Sequence, residues 1–315
     1  MINLPKTLQI FDDLYLKNEH TNEMKKSTVL IPGLITSGHL ILIAAPANGG
    51  KTTIFLRLCE QLTAGGNSVT YVNADASPGD LIAQQQHANL HNYKIIAPDA
   101  IIGKGVNDVI DRFEAMAKSE MSLDGHVFVI DTLKKFVDML DKKQLKGILA
   151  TFRNLTVKGA TVCLLAHTNK YSGKDGKSIY EGMGDIRTDV DELIYFDSAI
   201  NPETENLEIT TRPDKVRANF KPRSFIIKKA DRQVLELEEQ ITIYSEQDRE
   251  LLNEFIEAIQ DGCKNQKEIV RRVYSSSCIG TNAVRAALDR FTRVPDARIQ
   301  KTRDPSGKGY NYSAT

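Results

Sequence analysis

At 315 residues the chain has room for one large α/β domain and a small second one, and its 41% hydrophobic, 26% charged composition is that of an ordinary globular protein. A formal net charge of zero excludes a chain that coats nucleic acid indiscriminately. No apolar run approaches the roughly 18 residues that a membrane-spanning helix needs. The start, MINLPKTLQIFDDLYLK, lacks the basic and apolar regions of a secretory signal. Cys59, Cys163, Cys263 and Cys278 lie far apart, with no C-x-x-C pair and no clustered histidines. A reduced, cytoplasmic protein without structural zinc is therefore expected. The zero charge hides an asymmetry. From Gly262 onward eleven Lys/Arg face four Asp/Glu, leaving that segment at +7 and the remainder at −7.

Residues 1–30 are polar and mixed in charge, and are expected to form an arm. After the turn residues of 31–38, HLILIAA (39–45) is a continuous apolar run, as in a buried parallel strand. Helical spacing over 52–62 stops at Gly65-Gly66, and SVTYVNAD (68–75) is the next predicted strand. A helix over 81–90 follows Pro78, a short strand region lies around Pro98, and a helix is predicted over 106–117. HVFVID (126–131), a helix over 144–157 and TVCLLAH (161–167) complete an alternation that implies a mostly parallel, doubly covered sheet. Short strands at 193–197, 207–211, 224–228 and 234–238 are expected as antiparallel additions at one edge.

From Ser245 the pattern changes. Ser245 with Asp248 starts a helix carrying Leu251, Leu252, Phe255, Ile256 and Ile259 on one face. Two shorter helices fit 265–275 and 281–292, and ARIQKTRD with YNYSA, joined by the turn 305–309, reads as a hairpin. Three helices and a basic hairpin make a winged helix-turn-helix pattern. The expected organisation is an arm (1–30), an α/β core (31–242) and a winged-helix-like domain (245–315).

Chemistry concentrates at the end of the first strand. Ala45, Pro46, Ala47, Asn48, Gly49, Gly50, Lys51 and Thr52, followed by Thr53, form a small-x-x-x-x-Gly-Lys-Thr loop between a strand and a helix. Successive backbone N–H groups at a helix N-terminus make a concave anion site for the phosphates of ATP. Lys51 is placed to bridge the β and γ phosphates, and Thr52 to hold Mg²⁺ through its hydroxyl. Asp131, ending the strand VFVID, stands where a metal-orienting carboxylate belongs.

The stretches LIPGLITSGHLILIAAPANGGKTT, YVNADAS, VFVIDTLKKF and LLAHTNK, in this order, resemble the RecA-like ATPases, above all hexameric helicases of the DnaB and plasmid RepA type and related phage and mobile-element ATPases. The resemblance spans about residues 30–230 and implies a RecA-like P-loop core. It implies that Asp75 polarises the attacking water, although relatives more often carry Glu there. It makes His167 a sensor of the γ-phosphate and the segment after it, with Lys170, Lys174 and Lys177, a DNA-contacting loop. Lys215 and Arg217 then correspond to a Lys-x-Arg pair inserted into a neighbouring subunit's nucleotide site, with Arg217 as the finger. Such a pair implies self-association into a ring, and the class implies single-stranded DNA as partner. In the terminal segment Asn282, Arg285 and Arg290, and Arg298, Lys301, Arg303 and Lys308 of the hairpin, are candidate DNA contacts.

The function expected from these features is an ATP-dependent helicase or translocase in the replication of a phage, plasmid or other mobile element. Two other readings stay open: an ATP-switched DNA-binding regulator, and a filament-forming recombination mediator.

Overall fold

The computed structural model of the protein describes residues 14–18, 26–139, 141–168, 183–217, 220–244, 246–276, 279–305, 307 and 309–315. The antiparallel pair β1 (Val29–Ile31) and β2 (Ile35–Thr36) leads into β3 (Leu40–Ala45). There follow α1 (Lys51–Ala64), β4 (Ser68–Asn73), α2 (Pro78–His91), β5 (Lys94–Ile96), α3 (Val106–Lys118), β6 (His126–Asp131), α4 (Lys142–Val157) and β7 (Thr161–His167). A short helix α5 (Met183–Asp189) precedes β8 (Glu192–Ile200), β9 (Leu207–Lys215), β10 (Ser224–Ile227) and β11 (Val234–Leu237).

These strands form one nine-stranded sheet in the order β11-β10-β9-β8-β3-β7-β6-β4-β5. All pairings from β8 through β3 to β5 are parallel, and β9, β10 and β11 add antiparallel at the edge. The first of the four late strands therefore departs from expectation: β8 lies parallel to β3 rather than joining an antiparallel edge. A buried strand can accept either neighbour direction, and the apolar sequence of 193–197 does not distinguish them. β9 is longer than expected and passes through Pro213, beyond the residues it pairs with β10. Proline is tolerated where no ladder hydrogen bond is required of its nitrogen.

The continuous apolar run of β3 follows from burial on both faces. Leu40, Leu42 and Ala44 join a core with Val109 and Phe113 of α3 and Leu145, Leu149 and Phe152 of α4. Ile41, Ile43 and Ala45 point the other way, into a core with Ile54, Phe55, Leu58 and Leu62 of α1. Ser77 caps α2, accepting from the Asp80 N–H, with Pro78 in the first turn.

A separate apolar cluster is built by α6 (Glu246–Gln260), α7 (Gln266–Ser276), α8 (Thr281–Phe291), β12 (Ile299–Arg303) and β13 (Tyr310–Ala314). Phe255 and Phe291 meet edge to face at 5.9 Å in its centre. β12 and β13 pair antiparallel, and an isolated bridge joins Asn265 to Asn311. Ser245, expected to cap α6, lies outside the described residues, while Asp248 pairs with Arg290 across the bundle. Among the described residues, no helix is long and apolar enough to cross a membrane.

Candidate nucleotide-binding site

Parallel strands deliver their C-terminal ends to one side of a sheet, and the chemistry gathers there. β3 ends at Ala45, and the loop that follows turns through Asn48 (φ 60°) and Gly50 (φ 79°) into α1. A side chain at Gly50 would press on Ile209 and Ile227, whose methyl groups stand 2.6 and 2.8 Å from the position of a Cβ. Glycine is thus required twice over, for the left-handed backbone and for the close approach of β9 and β10. The N-terminus of α1 has no side-chain cap and no acidic residue in its first turn. Its first N–H groups face the cleft with the positive end of the helix dipole behind them, which suits an anionic ligand.

Lys51 is only 4% exposed. Its Nζ donates to the Ala45 and Pro46 carbonyls at 3.1 and 3.0 Å and lies 3.1 Å from His167 Nδ1. Burial lowers its pKa from 10.5 to about 8, outweighing the opposing effect of Asp131. The hydroxyl of Thr52 donates to Asp131 Oδ2 at 2.6 Å, and the buried Tyr71 hydroxyl donates to the same oxygen at 2.7 Å. Asp131 and Thr52 therefore already share one spot at the foot of the loop.

Burial, and then the neighbouring Lys51 charge, lower the pKa of His167. It is neutral near pH 7, with Nδ1 free to accept from Lys51. Its Nε2 faces Asp75 Oδ2 at 3.9 Å, and the other carboxylate oxygen of Asp75 pairs with Lys135 Nζ at 3.0 Å. Lys51, His167, Asp75 and Lys135 thus run in sequence across the cleft. β4 ends at Asn73, two residues short of expectation, and Asp75 sits on the loop beyond it. Asn73 holds that loop: its Oδ1 accepts from the Asp75 N–H at 3.0 Å, and its amide donates to the buried Gln84 of α2 at 2.8 Å.

The cleft encloses about 1060 Å³ and is lined by the loop, Asp75, Asp131 and His167. It is also lined by residues that the sequence does not single out: Arg57, Glu60 and His87, and Arg232 at the β10–β11 turn. Arg232 (φ 62°) reaches across to donate to Thr53 Oγ1 at 3.0 Å. The Asp231-Arg-Gln turn carries no motif, so only the pairing of β10 with β11 brings it over the loop.

Lys215 and Arg217 lie elsewhere. β9 runs antiparallel to β8, so its end returns to the opposite side of the sheet. Lys215 Nζ donates to the carbonyls of Arg187 and Val190, and Arg217 pairs at 2.8 Å with Asp191, whose other oxygen accepts from the Leu40 N–H at the start of β3. The length of β3 from Leu40 to Ala45, about 17 Å, separates that level from the loop. Neither residue enters the cleft of its own chain.

Lys170, Lys174, Lys177 and Lys308 lie outside the described residues. In the terminal segment Lys301 turns inward, to Asp289 at 2.6 Å and over the Tyr310 ring. Arg290 pairs with Asp248, and Arg285 donates to Asn282 of its own helix at 3.4 Å. Arg303 is exposed on β12, and Arg298 lies just before that strand.

A family model described as an AAA domain matches residues 16–173, half of the chain, from before β1 to just past His167. The chain belongs to the AAA domain family. No curated protein matches it. Among solved structures, the ATPase domain of another protein superposes on this AAA protein with a TM-score of 0.51 at 13% identity, over 75% of this chain and 100% of that one. A DnaB-like replicative helicase gives 0.48 at 13% identity, over 75% and 68% of the two chains. The flagellar accessory protein FlaH of Methanocaldococcus jannaschii gives 0.45 at 15% identity, over 67% and 92%. The AAA protein is a P-loop ATPase, and the mostly parallel α/β sheet expected from sequence is the one observed.

Proposed function

We propose that this ATPase is a ring-forming DNA motor, a helicase or translocase serving the replication of a phage, plasmid or other mobile element. One observation carries the assembly: Lys215 and Arg217 stand at the far side of the sheet from the loop of their own chain. Serving hydrolysis from there means serving the site of a neighbour, through a heterologous, head-to-tail interface of the kind from which rings are built. The motifs that resemble the hexameric helicases support the same assignment.

In this reading the N–H groups of 48–53 and Lys51 hold the phosphates of ATP, and Thr52 and Asp131 hold Mg²⁺. The metal, when bound, would neutralise charge on the phosphate oxygens. Asp75 accepts a proton from the attacking water, and the Asn73 side chain holds its loop for that role. His167 leaves Lys51 for a phosphate oxygen and reports its presence to residues 169–182, where Lys170, Lys174 and Lys177 contact single-stranded DNA. Arg232, which reaches Thr53 from the β10–β11 turn, orients the nucleotide.

Residues 1–30 are then an arm, 31–242 the motor core and 245–315 a winged-helix-like domain. The bridge from Asn265 to the hairpin supports that last assignment, because it ties the segment between the first two helices to the hairpin. Arg285, Arg298 and Arg303 are its candidate phosphate contacts, whereas Lys301 is already held by Asp289. The test is the ATPase rate with and without single-stranded DNA, together with unwinding of a forked duplex. Several-fold stimulation with unwinding is expected. Intact ATPase with neither effect overturns the motor, and sequence-specific duplex binding that survives Lys51→Ala points instead to a switched regulator.

A further inference from the structure

The sequence shows no metal-binding motif, yet the packing of α2 on α1 creates a set of ligands. His87 and His91 are one turn apart on α2, so both rings project from one face, with centroids 4.3 Å apart. Glu60 of α1 faces them across the helix pair, its Oε2 3.8 Å from His91 Nε2. One donor atom from each of the three lies within 4.8 Å of the others, and all three residues are half-buried.

We propose that Glu60, His87 and His91 form a binding site for a divalent transition metal of the zinc class, separate from the Mg²⁺ position at Thr52 and Asp131. Two imidazoles and one carboxylate, with a fourth position open to water, suit Zn²⁺, Co²⁺ or Ni²⁺ and not Mg²⁺, which takes oxygen ligands. Tetrahedral coordination at about 2.0–2.1 Å sets donor atoms roughly 3.4 Å apart, so the ligands need to close by only about an ångström.

The surroundings fit. The Tyr93 hydroxyl lies 2.9 Å from His87 Nδ1, which leaves Nε2 as the nitrogen for metal and fixes the ring as outer hydrogen bonds do in built sites. The charged group that opposes the site is Arg57, which pairs with the Oε1 side of Glu60 and leaves Oε2 toward the histidines. α1 begins at the phosphate loop and α2 follows the Asp75 loop, so a metal here would clip together the two helices that carry the loop and the base.

The test is titration of the full nucleotide-free chain with Co²⁺, followed by its visible absorption, and with Zn²⁺ by calorimetry. One equivalent with an intense tetrahedral spectrum is expected, displaced by Zn²⁺. His91→Ala abolishes the spectrum while keeping affinity for a fluorescent ATP analogue, which also shows that the variant is folded. Tyr93→Phe weakens metal binding by about tenfold through loss of the outer hydrogen bond. A Co²⁺ affinity and spectrum unchanged in both His91→Ala and His87→Gln, or no tetrahedral species in the wild type, overturns the site. Neither result bears on whether the protein is a DNA motor.

Discussion

At the scale of single residues, the groups that a nucleotide would recruit bond to one another at the end of β3. Lys51 occupies carbonyls and His167, and Thr52 occupies Asp131. Because burial sets the Lys51 pKa near 8 and the unfolded value is 10.5, the folded chain loses that proton first as pH rises. The unfolded state then binds more protons between those values, so the stability of the nucleotide-free protein rises with pH across that window. Affinity for nucleotide falls over the same window as the cation is lost. Urea unfolding and binding of a fluorescent ATP analogue from pH 7.5 to 10, compared with Lys51→Met, check both trends, and in the variant each trend flattens. Asp75 gives a second expectation. Asp75→Asn lowers turnover about 100-fold or more with KM little changed, since a base acts in the transition state and not in binding. An undiminished rate in steady-state kinetics moves the base elsewhere.

At the scale of elements, the loop depends on the antiparallel edge as much as on its own sequence. Gly50→Ala places a methyl group against Ile209 and Ile227 and strains a left-handed backbone, so it costs about 1–3 kcal/mol and nucleotide binding with it. Denaturant melts together with nucleotide titration measure the two losses. Sequence is a good guide where one element carries its own signal. The loop follows, and Asp131 and His167 end, strands whose apolar runs are unmistakable, and with Thr52 they meet in one cleft. It is a poor guide where separate elements supply the contact. Asn73, Lys135 and Arg232 have ordinary local sequence, and Asn73 and Arg232 line the cleft while Lys135 reaches Asp75 only because β4, the turn after β6 and the β10–β11 turn end near one another. The direction of β8 is illegible for a related reason, since burial on both faces erases the alternation that marks an edge. His87 and His91 read as unclustered in the sequence; their four-residue spacing acquires meaning only on a helix packed against Glu60.

At the scale of the whole molecule, the proposed ring makes each active site from two copies, with Lys51 from one and Arg217 from the next. The sheet places these residues at opposite ends of the same core, and Asp191 holds Arg217 with its guanidinium more than half exposed. Two variants, Lys51→Ala and Arg217→Ala, are each expected to lose ATPase activity, while Arg217→Ala retains nucleotide binding. The decisive measurement mixes them in the presence of single-stranded DNA. Random head-to-tail neighbours at equal ratio give an intact Lys51–Arg217 pair at about a quarter of interfaces, and the ATPase rate recovers to about that fraction of wild type. A rate that stays at background at every mixing ratio, with both variants folded and assembling, contradicts the shared site.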